Sequence, residues 1–234
     1  MDNVKGLFFD VGGTVFDWKN TVREKIQELA DTMNRPIDGG AFADDWRGEM
    51  FKIHTQVRQG DLPWMNSDDM LLRSLENLTN TYSLLTAVDH MSLVKSTWHH
   101  LKAFAGAPEA INRLRTRYTV VVLTILNWES IVSSSKAAGV QWDGILSCEF
   151  LGYYKPSLQA YIKGAGLLGL KPAEAMMVAA HESDLMAART AGMHTAFVNV
   201  PEEDKDFEGF ERPDKTDFDI EARDFETLCK RLQV

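Results

Sequence analysis

Asp10 closes a short apolar run, Leu7-Phe8-Phe9, and is followed at once by Val11-Gly12-Gly13-Thr14. Other polar groups fall at comparable places. Asn127 lies just past the apolar run Val120 to Ile125, and Lys155 follows Gly144-Ile145-Leu146 after a short loop. His181 and Asp184 come just past Met176 to Ala180. Carboxylates, an ammonium and an imidazole are the groups of nucleophilic and acid–base chemistry. Taken singly, each has an ordinary reading: an Asp after a strand is usually a turn or cap residue, and a Lys-Pro is usually loop. Chemistry requires the chain to gather them, and open α/β sheets place their sites at the carboxyl ends of their strands. All of these positions fall there.

The elements that would gather them can be read from the pattern. An apolar run bounded by a Gly pair predicts a buried strand at Leu7–Phe9 entering a tight loop. Strands are also predicted at Val120–Ile125, Gly144–Leu146, Met176–Ala180 and Thr195–Val200. Helical stretches near Trp128–Ala138, Ser157–Leu168 and Glu182–Ala191 lie between them. This alternation implies a Rossmann-like α/β fold, a parallel sheet with helices on both faces. The stretch from about Trp18 to Leu101 differs. Asn20-Thr21 with Glu24 resembles a capping box, and Val22, Ile26, Leu29, Ala30 and Met33 follow at helical spacing. Further helices are predicted near Ala41, over Ser67–Asn80 and over Val88–Leu101, with no strand signal. The chain is therefore read as an α/β core of residues 1–16 and 104–234, with an all-helical cap of residues 17–103 inserted after the first strand. Residues Pro201 to Ile220 hold nine acidic and three basic residues and read as a solvated surface loop.

Composition bounds the function classes. The chain has 234 residues, 44% hydrophobic and 25% charged, as in soluble globular proteins. A net charge of −9 argues against nucleic acid or an anionic membrane as partner. Two cysteines, Cys148 and Cys229, are too few for a disulfide framework and fit a reducing compartment. No stretch is apolar for the ~18 residues a membrane span needs. A cytoplasmic location is expected. Trp46, Trp64 and Trp98 are read as core of the insert, and His99-His100 as surface.

The segments Phe9-Asp10-Val11-Gly12-Gly13-Thr14, Leu123-Thr124-Ile125-Leu126-Asn127, Tyr154-Lys155-Pro156 and Val178-Ala179-Ala180-His181-Glu182-Ser183-Asp184, in that order and with a helical insert, resemble the haloacid dehalogenase superfamily. Within it the chain is most similar to type II 2-haloacid dehalogenases, through Asp17-Trp18, Trp46-Arg47, Gln141-Trp142-Asp143-Gly144-Ile145-Leu146-Ser147 and Ala179-Ala180-His181.

The resemblance implies hydrolysis of a small halogenated carboxylate to a 2-hydroxy acid, with no cofactor and no metal. Asp10 would attack the halogen-bearing carbon, and water would cleave the resulting aspartyl ester. Lys155 would pair with Asp10 and Asp184, and Thr14 would hydrogen-bond Asp10. Arg47 and Asn127 would cradle the halide. Backbone N–H groups of Val11 and Gly12 would hold the substrate carboxylate, and Leu126 and Tyr161 would line its pocket. His181 would orient or deprotonate the hydrolytic water, or else pack at the sheet edge. A homodimer is implied too. Gly12 and Ala180 stand where the superfamily's phosphatases carry carboxylates. Gly12 cannot protonate an alkoxide, a step that halide departure does not need. The chain departs from the dehalogenase pattern at Gly12, at Leu126 in place of Ser, and at Trp128 in place of Gly. Other readings stay open: a hydrolase of the same fold acting on another carbon or phosphorus centre, with Lys52 and Lys95 as Schiff-base candidates, or a non-catalytic homologue.

Overall fold

The computed structural model describes residues 3–200 and 218–234. Two compact units emerge, one α/β and one helical.

The α/β unit is built on a six-stranded sheet. Its strands are β1 (Gly6–Phe9), β4 (Thr119–Thr124), β5 (Gly144–Ser147), β6 (Ala175–Ala179), β7 (His194–Val198) and β8 (Ile220–Ala222). Their order is β5-β4-β1-β6-β7-β8, and every pairing is parallel. Parallel strands covered on both faces read as continuous apolar runs. Accordingly β1 and β6 are buried at every residue, and β4 at all but its first. In register, Phe9 lies beside Val122 on one side and Val178 on the other. The chain runs outward from β1 through β4 to β5, then returns to build β6, β7 and β8 on the opposite side. The carboxyl end of β1 is therefore the switch point where such sheets open a crevice. Asp10 is the first residue past that end. Helices α5 (Ala107–Leu114), α7 (Cys148–Leu151), α8 (Leu158–Leu167), α9 (Glu182–Thr190) and α10 (Phe225–Arg231) belong to this unit. A small pair, β2 (Phe16–Asp17) and β3 (Lys102–Ala103), lies where the chain leaves and rejoins the α/β unit.

The helical unit contains α1 (Trp18–Thr32), α2 (Gly39–Gln59), α3 (Ser67–Leu78) and α4 (His90–Trp98). Each buries an apolar stripe at helical spacing, for example Trp18, Val22, Ile26 and Ala30 on α1. Their starts are written in side chains. Asp38, Asn66 and Asp89 accept backbone N–H groups at the N-termini of α2, α3 and α4, and Gly60 ends α2 in the left-handed region at φ 82°. The expected capping box at Asn20-Thr21 does not form: α1 begins at Trp18, and the buried Thr21 Oγ1 accepts from Lys102 N at 3.2 Å. Trp46 and Trp98 are core, whereas Trp64 is 47% exposed and is not. His99 is buried rather than on the surface, because Asp68 Oδ2 lies 2.8 Å from its Nε2.

The helical unit also takes in residues 126–137, most of α6 (Trp128–Ala138). The reason is specific. Ser67 Oγ accepts from Asn127 N at 2.8 Å, Ser130 Oγ donates to Trp98 O at 2.6 Å, and Ser134 Oγ accepts from Leu101 N at 3.1 Å. The short elements β8, α5, α7 and α10 carry no pattern that the sequence reading picked out. The reading of Pro201–Ile220 as a surface loop falls largely on residues 201–217, which lie outside the described residues.

Phe8 sits mid-strand in β1, fully buried between Val121 and Met177. Phe8→Ala should lower unfolding free energy by ~3–5 kcal/mol in urea titrations. A loss below ~1 kcal/mol would show that β1 is not the centre of this core.

Candidate active site

Asp10 is placed by β1 and by its own N–H, which donates to Val178 O at 3.0 Å. The chain then turns sharply. Gly13 takes φ 84°, a conformation glycine enters without steric cost, and the N–H groups of Thr14, Val15 and Phe16 all donate to Val11 O. This turn carries Thr14 back to Asp10: Thr14 Oγ1 donates to Asp10 Oδ2 at 2.8 Å. The same Thr14 oxygen accepts from Ala180 N at 2.9 Å, so the turn after β1 is tied to the end of β6.

Lys155 arrives from the far side of the sheet, beyond β5 and α7. Gly152 caps α7 in the left-handed region at φ 72°, and the chain then delivers Lys155, which is only 7% exposed. Its Nζ lies 2.8 Å from Asp10 Oδ1 and 2.6 Å from Asp184 Oδ2. Asp184, in the first turn of α9, is 8% exposed. Its other oxygen, Oδ1, accepts from Tyr161 OH on α8 at 2.5 Å. His181 precedes α9, and its Nδ1 is 3.1 Å from Asp10 Oδ2. Each oxygen of both carboxylates thus has a named partner: Lys155 for Asp10 Oδ1, Thr14 and His181 for Asp10 Oδ2, Tyr161 and Lys155 for Asp184.

The electrostatics follow from one cation among buried groups. Burial opposes ionisation of Asp10, but the charge of Lys155 and the hydrogen bonds from His181 and Lys155 outweigh it and hold the carboxyl well below the usual range. Burial likewise opposes the charge on Lys155, and the two aspartates reverse this, raising the ammonium above its ordinary value. Asp184 moves the other way. Burial, joined by the neighbouring charge of Asp10, lifts its carboxyl against the pull of Lys155 and Tyr161. One ammonium does not hold two buried carboxylates equally: the ionised form of Asp10, with Thr14 and His181 beside it, is favoured over that of Asp184. Burial and Asp184 together push the Tyr161 hydroxyl up, so it remains a donor.

The donor set does not suit a hard divalent cation, which needs several free oxygen ligands in octahedral array. The four carboxylate oxygens already accept from fixed donors, His181 stands beside Asp10, and Gly12 and Ala180 add no carboxylate.

Sequence reading therefore finds six residues that the α/β unit brings together: Asp10, Thr14, Lys155, Tyr161, His181 and Asp184. Tyr161 meets Asp184 directly, so its placement is that of an orienting group. Val11 and Gly12 form the start of the turn. Arg47, Leu126 and Asn127 belong to the helical unit. The Arg47 guanidinium lies 4.2 Å from the ring centre of Trp18 and 5.3 Å from that of Phe51. Leu126 is buried. Asn127 Oδ1 accepts from Ser130 N at 3.0 Å, the bond of a helix N-cap, so this oxygen is committed to starting α6.

Two contributors escape sequence reading. The Ala180 amide orients Thr14, and backbone amides leave no residue-type signal. The Cys148 thiol, fully buried, feels Lys155, Asp184 and Asp10; burial pushes it up to about 12, which keeps it an inert thiol. Elsewhere, Asp68, His99 and Glu129 bring ligand-type atoms within 4.8 Å of one another in the helical unit. The two ring nitrogens of His99 face different carboxylates, Nε2 to Asp68 at 2.8 Å and Nδ1 to Glu129 at 3.9 Å.

A family model of haloacid dehalogenase-like hydrolases matches residues 4–192. The chain belongs to this family. Among its relatives is an (S)-2-haloacid dehalogenase of Pseudomonas sp. strain YL, 24% identical over 202 residues, spanning 85% of this chain and 84% of that one. A crystal structure of an L-2-haloacid dehalogenase superposes with a TM-score of 0.89 at 30% identity, covering 98% of this chain and 99% of the other. A defluorinating L-2-haloacid dehalogenase does so with a TM-score of 0.89 at 28% identity, covering 99% and 96%. The protein is thus a haloacid dehalogenase-like hydrolase with the α/β fold of 2-haloacid dehalogenases. Among the described residues, no helix is long and apolar enough to cross a membrane.

Lys155→Met leaves two buried carboxylates without their cation, and such losses cost ~3–5 kcal/mol. Their folded-state pKa values then rise above the unfolded ~3.9. A carboxyl with a raised folded value destabilises the fold in full above that value, less as pH falls toward the unfolded value, and not at all below the latter. The deficit of the variant, measured by chemical denaturation, should therefore be largest near neutral pH and shrink toward pH ~4. An equal deficit at both pH values would contradict the charge assignment.

Proposed function

We propose that the protein hydrolyses a small 2-haloalkanoic acid to the 2-hydroxy acid through an ester formed on Asp10. The observation that carries this reading is an aspartate held ionised by Lys155 with a glycine two residues later. The arrangement suits displacement of a group that leaves without a proton.

In the first step an oxygen of Asp10 attacks the carbon bearing the halogen. A C–O bond forms, the C–halogen bond breaks, and the halide departs with the bonding electrons. No general acid is needed, so Gly12 costs this chemistry nothing, whereas an alkoxide leaving group would require one. Arg47 and Asn127 receive the halide, and the N–H groups of Val11 and Gly12 hold the substrate carboxylate, beside Leu126. Asn127 serves through its amide NH₂, since its Oδ1 caps α6. In the second step water adds to the ester carbonyl. Lys155 and Thr14 hold the carboxylate oxygens at 2.8 Å each, and donors so placed stabilise the charge that develops there. Collapse breaks the acyl C–O bond; the departing alkoxide of the 2-hydroxy acid takes the proton that His181 received from water, and the Asp10 carboxyl loses its proton to solvent and is regenerated as the carboxylate.

His181 takes the proton of that water. A neutral ring donating from Nδ1 to Asp10 Oδ2 keeps Nε2 as an acceptor. Tyr161 holds Asp184, and Asp184 holds Lys155. The remaining expectations, a cytoplasmic homodimer with no cofactor, belong to the same reading.

Ion chromatography tests it directly. The protein should release halide from 2-chloropropionate or a haloacetate with EDTA present. Asp10→Asn should reduce release to background while the circular dichroism spectrum is retained. Absence of halide at high enzyme concentration, with turnover of phosphate esters on adding Mg²⁺, would overturn the reading in favour of a phosphatase. His181→Asn tests the base: the first halide release should persist while ester hydrolysis slows and the Asp10 ester accumulates. A variant that hydrolyses the ester at the wild-type rate would remove His181 from the mechanism.

A further inference from the structure

We infer that Ser67 is the positioning residue for Asn127: its hydroxyl holds the Asn127 main chain so that the side-chain NH₂ is set to meet the departing halide. This inference rests on the proposed dehalogenation only for the identity of the anion.

Every group in the pairing belongs to the helical unit. Asn127 immediately precedes α6 and is 5% exposed. Its Oδ1 accepts from Ser130 N at 3.0 Å. A main-chain N–H only donates, so this bond also tells the oxygen of the carboxamide from its nitrogen. The carboxamide is planar, and fixing its oxygen fixes the direction of Nδ2. Among the described residues nothing accepts from Nδ2, and the atom is not sealed from solvent. A fixed and open NH₂ is a donor suited to an anion.

The side chain is only as fixed as the main chain that carries it. A residue that caps a helix leaves its own N–H without a partner inside that helix. The Asn127 N–H instead donates to Ser67 Oγ at 2.8 Å, across sixty residues of sequence. Ser67 is the first residue of α3 and is 2% exposed. Its hydroxyl is not needed to start α3, because Asn66 Oδ1 accepts from Asp69 N at 3.0 Å. Asn127 is thus held at both ends, its N–H by Ser67 and its carboxamide oxygen by Ser130. Without Ser67 that N–H is a buried donor lacking its acceptor, which costs free energy until the main chain turns to find another. Any such turn carries the carboxamide with it. Ser134 provides the internal comparison. Its Oγ accepts from Leu101 N at 3.1 Å, a bond of the same kind that also ties α6 into this unit, but farther along the helix from Asn127.

Bromide titration followed by amide NMR tests the pairing without turnover. Wild-type protein should bind bromide, and the Asn127 side-chain NH₂ resonances should move as it does. Ser67→Ala should weaken binding ~5-fold, the range of one hydrogen bond. Asn127→Ser keeps a capping side chain and lacks the NH₂. In that background Ser67→Ala should change the residual affinity by less than about twofold. Ser134→Ala should likewise bind within about twofold of wild type. The inference is overturned if wild type binds no bromide, if the Asn127 NH₂ resonances stay still, or if Ser67→Ala binds within about twofold of wild type. It is overturned equally if the loss persists without the Asn127 NH₂, or if Ser134→Ala loses as much, since both would mark a general loosening of the unit. Should Ser67→Ala not fold, Ser67→Cys carries the same comparisons, because a thiol keeps the volume and is a much weaker acceptor. The two claims fail separately. Bromide binding that tracks Ser67 in a protein releasing no halide sinks dehalogenation and leaves the pairing. Turnover with bromide binding indifferent to Ser67 sinks the pairing alone.

Discussion

A single ammonium, Lys155, stands between two buried carboxylates, and the α/β unit is arranged to keep it there. Removing three such charges from water costs several kcal/mol per ion, which only close geometry and further hydrogen bonds can offset. Both are present. Asp10 and Asp184 each lie within 2.8 Å of Nζ, and Thr14, His181 and Tyr161 satisfy the remaining oxygens. These groups come from the ends of β1 and β6, from α8 and α9, and from the loop after α7. Their meeting point is where the strand order turns back on itself. The sheet topology and the charge cluster are thus one constraint seen at two scales.

The asymmetry within the cluster gives it a direction. Asp10 is held ionised by more donors than Asp184, whose carboxyl is lifted by its burial and by its neighbour. A carboxylate stabilised this far is a weak base, which suits attack on carbon better than removal of a proton. The same pattern that makes the site costly to bury, a network with every member partnered, fixes the attacking group before substrate arrives.

Much of this was legible in the chain because it lies in strand ends and turns. Leu7-Phe8-Phe9 followed by Asp10 and, after Val11, two glycines marks a strand, a turn and a polar group in seven letters, and the later polar positions repeat the device. What stayed hidden lies in long-range partners. His99 looks like one of two surface histidines until Asp68, thirty-one residues earlier, is seen against it. Asn20-Thr21 carries the letters of a helix cap, yet Thr21 instead accepts from Lys102, and α1 starts at Trp18. Residues 126–137 follow a core strand in sequence but group with the helical unit, through serine hydroxyls whose partners no local pattern names. The link from Ala180 to Thr14 is a backbone amide and has no letter at all.

The account stands on covalent attack by Asp10, and one experiment separates that from direct attack by water. In a single turnover with enzyme in excess, in water enriched in the heavy oxygen isotope, the solvent oxygen enters whichever carbon water attacks. Attack on an Asp10 ester places the label in the Asp10 carboxyl and leaves the product hydroxyl unlabelled, and peptide and product mass spectrometry should find that distribution. Label in the product hydroxyl, with Asp10 unlabelled, would show water attacking the substrate carbon and would contradict the account.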